Sequence, residues 1–156
     1  MRKVLASVLA SFAIGASALG ADTANHTVTV TVSAVNEVAI SGGNVALAIN
    51  GGTAAGPATA SDATTADLLW STNESDKKIT VASSLATINY PLTVEALNAN
   101  GGTVGPALTL SDTAQDLVTG ISLNSGSADL AYTVSATAAG GTGSEAHTVT
   151  YTITAE

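Results

Sequence analysis

The stretch His26-Thr27-Val28-Thr29-Val30-Thr31-Val32 puts three valines on one side of an extended chain and three threonines on the other. Successive side chains of a strand point to opposite faces, so a period of two marks a half-buried antiparallel strand. The same period recurs at Val45/Leu47/Ile49, Ile79/Val81, Ile88/Tyr90/Leu92/Val94, Leu108/Leu110, Leu130/Tyr132/Val134 and Val149/Tyr151/Ile153. Between these runs lie Ser41-Gly42-Gly43-Asn44, Asn50-Gly51-Gly52, Asn100-Gly101-Gly102 and Gly140-Gly141-Thr142-Gly143. Gly and Asn there supply the positive φ angles that tight turns require. Beyond residue 21 no apolar run keeps helical spacing long enough to predict a helix, and only residues 64–70 admit a single turn.

Eight or nine short strands in about 135 residues predict an all-β fold, an antiparallel β-sandwich that is immunoglobulin-like in outline. A chain of this size buries roughly two-thirds of its unfolded surface, enough for one core without disulfides. Pro91 interrupts the run from Ile88 to Val94 and predicts an edge position or a bulge there. A β-solenoid, which also favours Thr, Asn and Gly, needs a short regular period, and none is visible. A longer one is. Asn50-Gly51-Gly52-Thr53, Gly56-Pro57-Ala58, Ser61-Asp62 and Asp67-Leu68 return as Asn100-Gly101-Gly102-Thr103, Gly105-Pro106-Ala107, Ser111-Asp112 and Asp116-Leu117, at an offset of 49 to 50 residues. Internal duplication, with halves near 45–98 and 95–155, accounts for the ordered gaps. Coincidence within a diet of Ala, Thr, Gly, Ser and Asn is the alternative.

The N-terminus reads as an address. Met1-Arg2-Lys3 is a short positive segment, residues 4–19 are uncharged and apolar, and small residues follow up to Ala21. This is the pattern of a cleavable secretory signal peptide, residues 1–21, leaving a single domain over 22–156. The apolar run falls short of the ~20 residues of a membrane span, so no stable insertion is expected after cleavage. With no cysteine in the chain, a lipid anchor on cysteine, disulfides and thiolate chemistry are all excluded. Cleavage removes Arg2 and Lys3. Lys77 and Lys78 then face all twelve acids, and the net charge moves from −8 to −10. So acidic a domain repels nucleic acid, which is bound through Lys/Arg stripes.

Sites of known chemistry are scarce. The nucleophile elbow, the glycine-rich nucleotide loops and the H-E-x-x-H metal motif are absent, and no enzyme activity is expected. His26 and His147 each head a strand pattern and would make half a metal site if their strands were neighbours; exposed strand-head histidines are the plainer reading. No cofactor is expected apart from calcium. Its best candidate ligands are Asp62 and Asp67 in one repeat and Asp112 and Asp116 in the other, although neither loop has the oxygen density of a calcium loop. The turn Asn73-Glu74-Ser75-Asp76 with Lys77-Lys78 reads as a charged hairpin that discourages edge pairing. Trp70 is expected to fill the core rather than stack on sugar.

Residues 26–32 closely match the chain's own last strand, His147-Thr148-Val149-Thr150-Tyr151-Thr152-Ile153. A segment able to replace the final strand can do so in its own domain or in a neighbour's, which makes Val28, Val30 and Val32 candidates for strand donation. Head-to-tail donation generates open filaments. The signal pattern, the Thr-rich strands and the ending Thr148 to Thr154 resemble secreted bacterial surface proteins of a fimbrial or cell-envelope type. That resemblance implies a structural or adhesive role at a cell surface, in the extracellular space or in the periplasm. Self-association or other surface proteins would supply the partners. Two features depart from it: chaperone-assembled fimbrial families often carry a disulfide, and Trp70-Ser71-Thr72 is not the W-x-L motif of wall attachment. The second function class that fits is an extracellular carbohydrate- or calcium-binding module.

Overall fold

The computed structural model describes residues 23–52, 56–85 and 89–156; the signal pattern at 1–21 lies outside them. It is all-β. Ten strands and one short 3₁₀ turn, Ala138–Gly140, make up the regular structure among these residues: β1 Asn36–Gly42, β2 Ala58–Asp62, β3 Ala66–Thr72, β4 Lys77–Ser83, β5 Leu92–Asn100, β6 Thr103–Val104, β7 Leu108–Thr109, β8 Gln115–Ile121, β9 Ser125–Ala136 and β10 Val149–Ala155. All pairings are antiparallel. One sheet runs β1-β3-β9-β5-β7, with β2 also on β9, and the other runs β10-β4-β8-β6. Among the described residues no helix is long and apolar enough to cross a membrane.

Both sheets feed one core, giving a sandwich-like arrangement. β3 contributes Ala66, Leu68 and Trp70, β5 contributes Leu92, Val94 and Ala96, and β9 contributes Ala128, Leu130 and Tyr132. The facing sheet adds Ile79 and Val81 of β4 with Leu117, Val118 and Ile121 of β8. Trp70 is buried as expected. It lies so close over β9 that a Cβ on Gly126 would sit 2.3 Å from the indole ring and 2.2 Å from the Asn100 carbonyl oxygen. Only glycine fits there.

Several sequence expectations need correction. Residues 64–70 hold no helical turn: Asp62 caps a bend at 63–65 and β3 follows, its alternation of Ala66, Leu68 and Trp70 masked by the outward Leu69. Residues 45–49 keep the alternating burial of a strand but join no ladder, and residues 26–32 form no strand and are exposed. Pro91, which cannot donate to a ladder, stands just before β5 and only accepts, from Ser135 N–H. β1, β2, β6 and β8 went unannounced. In β8 a register shift lets Ile79 pair with Val118 and Thr80 with Asp116, so Leu117 is an extra residue and both Leu117 and Val118 are buried. Such a bulge destroys the period of two.

Two sets of four strands succeed one another along the chain, β2-β3-β4-β5 and β7-β8-β9-β10. β3 pairs with β9 and β8 with β4; β5 pairs with β9 and β10 with β4. Exchanging the two sets leaves this scheme unchanged, and β1 on β3 matches β6 on β8. It breaks at β2 and β7: β2 lies on β9, whereas β7 lies on β5 rather than on β4, and on its outer side β10, the counterpart of β5, carries no strand among the described residues.

Candidate functional site

The chain clusters into two compact units, residues 1–32 and Ser33–Glu156. In the described part of the first, Val28, Val30 and Val32 are 71%, 79% and 76% exposed. Three β-branched apolar residues on one face of an extended segment are costly to leave in water, at roughly 1.5–3 kcal/mol of forgone burial each.

Residues 33–36 root the second unit's first strand. Val35 N–H donates to Asn73 Oδ1 at 2.7 Å, Asn73 N–H donates to the Val35 carbonyl at 3.2 Å, and Asn73 Nδ2 donates to the Ser33 carbonyl at 2.8 Å. This continues the β1–β3 register, in which Asn36 faces Thr72. Asn36 Nδ2 donates to Glu74, which also meets Lys77 Nζ at 3.0 Å. These partners, Asn36 first and then Lys77, hold the Glu74 carboxyl below its ordinary range. The charged turn expected at 73–78 thus secures the start of β1, and Lys78 reaches across the ladder to Asp116 at 3.0 Å.

On the unpaired side of β10 the two sheets part. A groove of about 1090 Å³ opens there, lined by Ile40, Val45, Leu47, Tyr132, Val149 and Tyr151 among others. A smaller cleft continues it between Val38–Ile40 of β1 and Val149–Tyr151 of β10. Ile40 sits opposite Leu68, so it shares that residue's inward face. Leu68 is fully buried, yet Ile40 is 45% exposed, at an end of the core that the described residues cover only in part. Val149, Tyr151 and Ile153 face the core and are only half-buried. The Tyr132 and Tyr151 hydroxyls are hydrogen-bonded to one another, and burial pushes both phenols above their usual range.

The segment leading into β10 is held by a polar cluster that the sequence did not announce. Glu145 Oε1 accepts from Asn89 N–H at 2.9 Å and Asn89 Nδ2 at 2.6 Å, and Oε2 accepts from Tyr90 N–H at 3.3 Å. The Asn89 backbone bond is the largest influence lowering the Glu145 carboxyl. His147 lies 3.0 Å from Ser83 Oγ through Nδ1 and 3.6 Å from Glu145 through Nε2. Ser, His and Glu in a row resemble a hydrolytic relay. However, Ser83 is buried and its oxygen accepts from Leu85 N–H, so the hydroxyl does not face a substrate.

The calcium candidates are dispersed over both sheets. Asp62 Oδ1 accepts from Thr64 and Thr65 N–H at 3.0 and 2.9 Å and Oδ2 from the Thr65 hydroxyl at 2.8 Å, bonds that hold its carboxyl low. Asp67 accepts from Ser41 Oγ, Asp116 pairs with Lys78, and Asp112 is exposed on the bend before β8. Among the described residues no three His, Asp or Glu side chains converge as a metal site. No protein-family model, curated protein or solved structure matches the chain, so any functional reading rests on these residues.

Proposed function

We propose that the chain is a secreted structural or adhesive protein of a cell surface or extracellular matrix, released by cleavage near residue 21, whose copies associate by β-strand donation. One observation carries the reading: a threonine–valine arm, residues 26–32, is patterned as a strand yet pairs with no strand among the described residues. Donated strands bind through main-chain hydrogen bonds with alternate side chains in pockets, and this arm offers both. The domain is taken as immunoglobulin-like, on the following grounds. β4–β8 and β5–β9 stand as the two central pairs of that fold, with β6 and β7 beside them. The outermost places are exchanged, since the late strand β10 flanks β4 and the early strand β3 flanks β9. The pairing scheme that survives exchange of the two strand sets supports an ancestral duplication.

Electron microscopy and light scattering of residues 22–156 test the function. Filaments or chains of subunits that disappear on deleting residues 22–32 are expected. A strict monomer at high concentration overturns strand donation, and one stabilised by calcium or a glycan favours a binding module instead.

A further inference from the structure

We infer that the acceptor for residues 26–32 is the seam between β10 and β1 of a second copy, with Val28, Val30 and Val32 entering the groove beside Ile40 and Tyr151. This rests on the strand-donation reading above and adds which edge receives the strand and whose strand it is.

The edge is singled out by the pairing scheme. The pairings among β3, β4, β5, β8, β9 and β10 each have their counterpart; β2 and β7 do not, lying on β9 and β5, and β10 is left with no outer neighbour among the described residues. The same edge borders the large groove, where inward residues of both sheets are left uncovered. β10 is seven residues long. A seven-residue arm spans about 23 Å at ~3.3 Å per residue, the same length. Its sequence also copies the register of β10 itself, His-Thr-Val-Thr followed by a large or branched apolar residue, Thr and another.

What already lies in the groove is weakly held. Residues 44–50 turn Val45, Leu47 and Ile49 partly inward but join no ladder. A donated strand that displaces them forfeits apolar contact and no strand pairing, and it brings β10 the hydrogen bonds its edge lacks.

The strand comes from another copy because of how the arm is rooted. Folding back along its own β1 needs a turn of two to five residues at 33–35. Those residues are held extended by the three hydrogen bonds to Asn73. Charge points the same way. Residues 23–36 contain no acid and no full cation, so the arm of this strongly acidic chain can approach a second copy without charge repulsion.

The absence of native cysteine makes a disulfide trap clean. Thr29→Cys in one copy of residues 22–156 is mixed and oxidised with Thr148→Cys, Thr150→Cys or Thr152→Cys in another, all on outward positions. A heterodimer disulfide with at least one β10 partner is expected, and none with Thr109→Cys on the opposite edge strand β7. A trap at Thr109 alone, or a Thr29→Cys/Thr150→Cys double variant that closes within one chain at dilution, overturns the inference. A second measurement needs no cysteine. Val30→Asp spoils only the donor and Ile40→Asp only the acceptor, so each alone stays monomeric while their mixture forms a one-to-one dimer. Filaments that survive Ile40→Asp but not Val30→Asp defeat this seam and leave strand donation standing. If the unmodified protein never associates, both readings fall.

Discussion

Residues 26–32 and 147–153 are nearly the same sequence in two different situations. The later copy lies on β4 through five paired positions, from Val149 opposite Ser83 to Ile153 opposite Ile79. The earlier copy, with its own period of two, pairs with no strand among the described residues and holds its valines in water. Local pattern is therefore not what separates them. A strand requires an edge within reach and a core to cover, and only the second copy has both. β-propensity describes how well residues fit a half-buried pleated surface rather than a preference of the backbone alone.

The widest separation between the two copies is expected in the cost of truncation. Tyr151→Ala removes a ring packed on the core and leaves the buried Tyr132 hydroxyl without its partner; a loss of about 3–5 kcal/mol is expected in urea unfolding. Val30→Ala in the arm should stay within about 0.5 kcal/mol of the parent under conditions where the protein is monomeric. Equal costs would mean that the arm is packed after all. A milder change makes the two segments identical. Tyr151→Val with Ile153→Val turns β10 into the arm's own sequence, and the fold should persist at a cost of about 2–3 kcal/mol. Loss of cooperative unfolding in that double variant would show that β10 depends on the tyrosine pair and not on its alternation.

The smallest effect concerns acidity at the approach to β10. The Glu145 carboxyl is depressed in the folded state, chiefly by Asn89 N–H. A depressed acid stabilises the fold at pH values above its unfolded value and loses that contribution as pH falls through the folded one. The Tm should therefore drop as pH is lowered from 5 toward about 3, with Glu74 and Asp62 acting in the same sense. Glu145→Gln should flatten that slope while leaving the arm unaffected. An unchanged slope in the variant would remove Glu145 from the account.

β4, β9 and β10 were legible because each alternates without interruption and lays one face on the core, as Leu130, Tyr132 and Val134 do. β8 was hidden by its bulge at Leu117, and β3 by an outward leucine between Leu68 and Trp70. β1, Asn36-Glu37-Val38-Ala39-Ile40-Ser41-Gly42, has two large apolar residues and an acid, too thin a pattern to separate from a loop. The arm was legible as an unusual segment. Its proposed acceptor was not: Ile40 is an ordinary isoleucine in sequence, and its exposure arises from strands far along the chain that leave one side of the core open. The Ser83–His147–Glu145 cluster likewise depends on β4 meeting β10, 64 positions later.

The pairing scheme that survives exchange of the strand sets also governs how the chain must fold. Among β2 to β5 no strand pairs with another, and the same holds for β7 to β10; within these sets each ladder joins one set to the other. An N-terminal half emerging first therefore has only the β1–β3 ladder to close. Its apolar faces stay bare until the second half arrives. Topologies dominated by such distant contacts fold on the millisecond-to-second scale, so the nascent chain should remain threadable until it is complete. For the exported protein proposed above, an interleaved fold would be a built-in delay.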